Sequence, residues 1–319
     1  MSRALQCRAV APGSIGNLAC GFDVLGLALE GPGDEVVARM TDTSGVTIRA
    51  IHGDGGRLPL EAERNSAGAA ARAVLEELGM GGGVELEVHK GLPLAAGIGG
   101  SAASAVAAVV AVDELLGGRL PPESLLRCAL VGEAVASGGP APDNAAPSLL
   151  GGMVLVPAWE PLRAIKLQVP GELWAVHVHP HLEVETAAAR LALGDRISLG
   201  DAVAQWGNTA ALVAGLFLED WEIIARSVED RVAEPVRAQA VPGFHVVKRA
   251  ALDAGALASS LSGSGPSLFA LCRGRARAEA VGEAMLVAFR SAADLEADLI
   301  VSSGRASGAR ILERPDREP

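Results

Sequence analysis

Residues 93–105, PLAAGIGGSAASA, place glycine at 97, 99 and 100 and carry no charge. Glycine lets a backbone take positive φ and approach a ligand with no Cβ in the way. Ser101 stands where a helix N-cap would be, and the alanines after it favour helix. A helix start offers unpaired N–H groups and a partial positive charge, which together suit phosphate oxygens. The usual phosphate loop ends in Gly-Lys-Ser/Thr. This one has no lysine, and the chain has only Lys90, Lys166 and Lys248. Backbone donors would have to do the work. Three readings stand on these residues alone. One is an ordinary turn before a helix, and another is a nucleoside-triphosphate loop of non-Walker type. The third is a dinucleotide fingerprint through Gly97, Gly99 and Ala102, which wants a βαβ unit. Here a second helix follows the first, which weakens that reading.

Two further stretches narrow the choice. APGSIGNLACGFDVLGLAL (11–29) packs small residues, Asn17 and Asp23 into a loop before an apolar segment. LSGSGPSLFAL (261–271) is a second Gly/Ser loop leading into a strand. With all three in order, the sequence resembles the GHMP kinases, named for galactokinase, homoserine kinase, mevalonate kinase and phosphomevalonate kinase. The segment NLACGFDVLGLAL resembles the homoserine kinases of that family. The likeness continues through EPVRAQAVPGF (234–244) and covers nearly the whole chain.

The resemblance implies an α+β fold with two domains: an N-terminal βα nucleotide-loop domain (1–157) and a ferredoxin-like C-terminal domain (158–319). It implies transfer of the γ-phosphoryl of ATP, with Mg²⁺, to the side-chain hydroxyl of L-homoserine, giving O-phospho-L-homoserine for threonine biosynthesis. It also implies a homodimer. The family loop is close to PxGxGLGSSAA. Pro93, Gly97, Gly99, Ser101, Ala102 and Ala103 match it, while Ala95, Ile98 and Gly100 replace Gly, Leu and Ser. With Leu94, Ala96, Gly263, Ser264 and Gly265 these residues would hold the nucleotide, with Asn65 and Lys90 on the adenine side. Ser101 and Glu133 would face Mg²⁺, which needs few protein oxygens besides water and phosphate. Asp23 and Asn144, with Asp143 beside them, suit the substrate ammonium. Arg190 and Arg237 suit its carboxylate, because a guanidinium fork matches a carboxylate bidentately. Asn17 would hold the reacting hydroxyl, and Thr186 lies one helical turn before Arg190. Asn17, Ser101, Glu133, Thr186 and Arg190 form the implied catalytic set. Where relatives read H-x-D-N this chain reads APDN, so Ala141 replaces a polar contact. The alternatives are a kinase for another small alcohol and a non-catalytic ligand-binding relative.

The elements that must position these groups follow from periodicity. Segments 46–51 and 84–90 alternate like half-buried strands, with helical spacing at 65–79 between them. Helices are expected at 101–116 and from the Pro121-Pro122 pair to about 136. In the second half, strands are expected at 173–180, 266–272 and near 309–312. Helices are expected at 185–194, 200–217, 220–231 and 276–291. A strand at 151–159 leads out of the first half. Mixed elements without a strict βα repeat favour α+β.

The bulk numbers limit function. Net charge is −11 with no basic run, so nucleic-acid binding is not expected. The N-terminus lacks the apolar core of a signal peptide, and the most apolar run, 102–112, is too short to span a bilayer. The four cysteines are scattered with no CxxC pair, which suits a reducing, cytoplasmic setting. The run HVHPH (177–181) has no recognised ligand spacing and is expected at a strand edge beside the cleft.

Overall fold

The computed structural model describes residues 5–315. The first half holds β1 (Gln6–Gly16), β2 (Leu25–Thr41), β3 (Gly45–His52), α1 (Ser66–Glu77), β4 (Gly83–His89), α2 (Gly100–Leu116), α3 (Pro122–Ser137), α4 (Pro142–Leu150) and β5 (Met153–Leu155). Then come β6 (Ile165–Lys166), β7 (Leu173–Pro180), α5 (Thr186–Leu191), α6 (Leu199–Leu218), α7 (Trp221–Ser227) and α8 (Glu234–Arg237). The chain closes with α9 (Phe244–Asp253), β8 (Ala258–Leu261), β9 (Leu268–Arg273), α10 (Arg275–Ala293), β10 (Ala297–Ser303) and β11 (Arg310–Glu313). The α+β expectation holds.

A seven-stranded sheet has the order β11-β1-β2-β4-β3, with β5 on β2 and β6 on β5. Only β3 and β4 pair in parallel, because α1 carries the chain back between them. A four-stranded antiparallel sheet has the order β10-β7-β9-β8. Both β6 and β11 belong to the first sheet, so the chain crosses back over a boundary drawn at residue 157.

The centre of the first half is α2. Its alanines at 102, 103, 105, 107, 108 and 111 are fully buried. Side chains this small let α2 lie close to β1 and β2 on one side and to α1, α3 and α4 on the others. Asn65 caps α1, its Oδ1 accepting from the N–H groups of Ala67 (3.0 Å) and Gly68 (3.5 Å). A second core, with Phe244, Met285 and Phe289, fills the space between the second sheet and α9 and α10. Among the described residues no helix is long and apolar enough to cross a membrane.

Several expectations change. In the stretch 11–29 the loop carrying Asn17 and Asp23 is the 17–24 connection and the apolar segment after it begins β2, but residues 11–16 belong to β1. Gly and Pro are tolerated in these strands because other backbone approaches closely; a Cβ on Gly26 would lie 1.6 Å from the Asp143 carbonyl oxygen. The strand expected at 151–159 shortens to β5, and α7 ends at Ser227. The HVHPH run is not at a sheet edge. It ends β7, an interior strand, and His177 is fully buried. Burial drives the His177 pKa down to about 3, so its ring is neutral.

Candidate active site

The phosphate-type loop is shaped by alternating backbone handedness. Positive φ occurs at Ala95 (52°), Gly97 (69°) and Gly99 (68°), and at neither Ala96 nor Ile98. Such alternation turns successive N–H groups toward one concavity, a nest for anions. Four consecutive carbonyls of the loop are tied down from three separate segments. Ala95 O accepts from Val184 N (3.1 Å), Ala96 O from Ser267 Oγ (2.5 Å), Gly97 O from Ser262 Oγ (2.7 Å) and Ile98 O from Ser14 N (2.9 Å). Helix α2 follows directly, with Gly99 as an N-cap that supplies no side-chain acceptor. Its first bond is from Ala103 N to Gly99 O, so the N–H groups of the first turn keep their donor capacity.

The glycines have different reasons. At Gly97 a Cβ would sit 2.6 Å from the carbonyl oxygens of Gly265 and Ser262. At Gly99 it would sit 2.4 Å from Ser14 Oγ and 2.9 Å from Asn144 Oδ1. Gly100 has room: the nearest atoms lie 3.6 Å away, so the serine of the family pattern would fit. Ala95 holds positive φ with a Cβ, a local strain of about 1–2 kcal/mol.

Behind the loop lies a buried ion pair. Lys90 Nζ contacts Asp34 Oδ2 and donates to Gly100 O (2.9 Å) and Ser104 Oγ (2.9 Å). Asp34 Oδ1 accepts the N–H groups of Gly91 and Leu92, both at 3.1 Å. The pair therefore holds both ends of the loop. Lys90 and Asn65 both line the cavity, yet Lys90 is only 2% exposed and Asn65 is engaged in capping.

The loop opens on a cavity of about 410 Å³, lined also by Arg57, Arg64, Ala141, Asn144, Thr186, Gly263 and Ser264. Glu133 reaches it from α3, 3% exposed, and its Oε2 has no partner. Burial, with Asp143 adding to it, pushes the Glu133 pKa up to about 7, against the pull of the Ser101 hydroxyl. An orphaned buried carboxylate oxygen beside a serine at a helix start fits a divalent cation that would satisfy it.

The other end of the site is made of charged side chains. Asn17, Leu18 and Ala19 hold φ of 67°, 43° and 59°, a left-handed turn that non-glycine residues rarely adopt. It is held by side-chain bonds. Asn17 Oδ1 accepts Asp23 N–H (3.0 Å), Asn17 Nδ2 donates to Gly263 O (3.2 Å), and Asp143 Oδ2 accepts Asn17 N–H (2.9 Å). Asp23 takes a bidentate pair from Arg190, at 2.8 and 3.0 Å. Arg237, 6% exposed, donates to Gly263 O (3.0 Å) and lies 5.4 Å from the Phe22 ring. Thr186 Oγ1 meets Ser264 Oγ at 3.3 Å, so α5 supplies Thr186 and Arg190 from one face.

Asn65, Lys90, Ser101, Glu133, Asn144, Thr186 and Ser264 line the cavity, while Asn17, Asp23, Asp143, Arg190 and Arg237 form a bonded group that meets it at Gly263. Asp143 holds the Asn17 backbone, with its pKa raised to about 7 by burial and then by Asp23. Asp34, Ser14, Ser262 and Ser267 were not read from sequence. Ser14, Ser262 and Ser267 fall within the two Gly/Ser-bearing stretches 11–29 and 261–271, while Asp34 lies outside any of them.

The comparisons agree with this geometry. Family models described as GHMP kinases N terminal domain and GHMP kinases C terminal match residues 65–152 and 211–290. A homoserine kinase of Chloroherpeton thalassium is 46% identical, over 96% of this chain and 99% of that protein. The chain belongs to the homoserine kinase branch of the GHMP kinases. The crystal structure of homoserine kinase from Cytophaga hutchinsonii superposes with a TM-score of 0.92 at 46% identity, covering 98% of each chain. A mevalonate kinase of L. major, solved with R-mevalonate, shares the GHMP kinase fold at TM-score 0.69 and 17% identity, over 97% of this chain and all of that one.

Proposed function

We propose that the protein transfers the γ-phosphoryl group of ATP to the side-chain hydroxyl of L-homoserine, giving O-phospho-L-homoserine and ADP. The observation that carries the substrate end is the Asp23–Arg190 pair with Arg237 beside it, next to the loop of converging N–H groups. An α-amino acid brings one ammonium and one carboxylate. Inserted at this pair, its ammonium takes Asp23 and its carboxylate takes the forks of Arg190 and Arg237, so one ion pair becomes two. Asn17 then holds the hydroxyl at the mouth of the loop.

Ser101 and Glu133 would hold Mg²⁺, which when bound neutralises charge on the phosphate oxygens. The backbone nest and the first turn of α2 bind the triphosphate. Phosphoryl transfer through a loose transition state draws most of its acceleration from position and charge placement. No strong base is required at the hydroxyl. Asp143 Oδ2 accepts the Asn17 N–H while its Oδ1 is buried without a partner, and in this reading the proton passes to a phosphate oxygen.

The family likeness to homoserine kinases supports a homodimer and a cytoplasmic enzyme. The four cysteines, all buried thiols, suit that compartment. Exposed apolar residues on α6, Leu199, Val203, Trp206, Ala210 and Phe217, follow the 4-3 spacing of self-packing helices, with half-buried Val213 completing the series, and offer the face. The test of function is ADP release with Mg-ATP and L-homoserine, mevalonate, galactose or shikimate, with the product identified by phosphorus NMR. Homoserine should be preferred strongly. Preference for another alcohol by tenfold or more would overturn the assignment.

A further inference from the structure

Away from the kinase cleft, we propose that His52, Glu87 and His89 form a binding site for a divalent transition-metal ion of the zinc class. Strands β3 and β4 run parallel with His52 directly opposite His89. Their rings stack with centroids 4.7 Å apart and planes 25° from parallel. Glu87, two residues before His89, shares its face of the strand. Its Oε1 lies 3.2 Å from His52 Nε2 and 3.3 Å from His89 Nε2. All three donor atoms fall within 4.8 Å of one another.

Those spacings suit a metal. With bonds of about 2.1 Å, a tetrahedral site has edges of about 3.4 Å between donor atoms. Two edges already have that length. The third needs only small rotations of surface imidazoles, whose side chains are 54% and 37% exposed. Arg39 Nη1 takes the other oxygen, Glu87 Oε2, at 2.9 Å, which leaves Oε1 aimed at the rings. An outer partner of this kind is what orients a ligating carboxylate. Two imidazoles and one carboxylate select zinc, nickel or copper over magnesium, and the open side admits water as a fourth ligand.

The site would clip β3, an edge strand paired only with β4, to the body of the sheet. It is separate from the kinase chemistry. Lys90 follows His89 immediately, but its Nζ turns to the buried Asp34 on the opposite side. No sequence spacing announces this group, because His52 and Glu87 are separated by 35 positions. The HVHPH run does not form the group, since His177 is buried and His181 pairs with Asp298.

The rival is a plain hydrogen-bonded trio in which each imidazole donates to Glu87. Titration calorimetry of the chelator-treated full chain with Zn²⁺ and with Ni²⁺ separates the two. Wild type should bind one equivalent at micromolar metal, and His52→Ala and His89→Ala should each abolish that binding. Arg39→Leu should weaken it about 10- to 100-fold. Metal at tenfold over its dissociation constant should raise the melting temperature by about 3 °C. Cobalt bound in place of zinc should show the visible absorption of a tetrahedral site, lost in His52→Gln. Turnover with Mg-ATP should be unchanged in the histidine variants, which also shows that they fold. Absence of saturable binding, or equal binding by wild type and the His52→Ala/His89→Ala double variant, would overturn the site.

Discussion

The two ends of the cleft are built from different materials. The proposed nucleotide end consists of backbone: an uncharged loop with alternating φ signs, its carbonyls held by Ser14, Val184, Ser262 and Ser267. The proposed amino-acid end consists of side chains drawn from segments up to 220 positions apart: Asn17 and Arg237, which meet at the Gly263 carbonyl, and the Asp23–Arg190 pair. A backbone site is sensitive to a Cβ where other backbone approaches closely, and far less to the chemistry of the loop's own side chains. A side-chain site behaves in the opposite way. This explains how an acidic protein with three lysines can bind a triphosphate.

The contrast breaks first at Gly97. Gly97→Ala puts a Cβ 2.6 Å from two backbone carbonyls at positive φ, so the loop must shift away from its donor geometry. Misplacing such a donor costs about 10²–10³ in rate, and steady-state kinetics should show kcat/KM for ATP falling by that much. Gly100→Ser, with open space around it, should stay within about twofold of wild type. If the two variants behave alike, the loop is not a backbone site.

At the other end, Arg237→Leu should raise the KM for homoserine about 10- to 150-fold, the value of a charge-assisted contact of about 1.5–3 kcal/mol. The KM for ATP should change by less than about threefold. An unchanged homoserine KM would return Arg237 to a packing role against Phe22.

Glu133, on the loop side of the cleft, carries a pH signature. Its pKa rises to about 7 on folding, from an ordinary value of 4.5. A carboxyl shifted upward favours the folded state only while protonated, so ligand-free stability falls as pH climbs from 4.5 through 7. Glu133→Gln removes that penalty. At pH 8 the free variant should be more stable by up to about 3 kcal/mol, with no difference near pH 4, while its kcat drops. Urea unfolding at the two pH values checks this. A variant less stable at pH 8 would mean that Glu133 is structural.

The smallest effect is at Ala95. Ala95→Gly relieves a left-handed alanine but loosens the unfolded chain, for a net gain of about 0.5–1 kcal/mol. Thermal unfolding should move up by a degree or two, with kinetics unchanged.

The same contrast governed what could be read from sequence. The loop was legible because backbone sites leave glycines in one contiguous run, and Ala95 stood out as a misfit. The charged end was legible only through likeness to a family, since no spacing links Asp23 to Arg190 or Arg237. Asp34 left no signal at all: an isolated aspartate in β2 gives no hint that it meets Lys90 and Ser104. The same holds for the fold. Helix α2 is legible nearly to its ends, while the end of β1, residues 11–16, is not, because its small residues serve close packing. Helix α4 was missed because its nine residues include two prolines.

The division of labour is tested most directly by calorimetric titration of a non-hydrolysable ATP analogue with Mg²⁺, and separately of homoserine, against Gly97→Ala and Arg237→Leu. Gly97→Ala should lose the nucleotide by at least about 100-fold and bind homoserine within about fivefold of wild type, and Arg237→Leu should do the reverse. Equal loss of both ligands in either variant would contradict the account, because the two ends would then be one structure and not two.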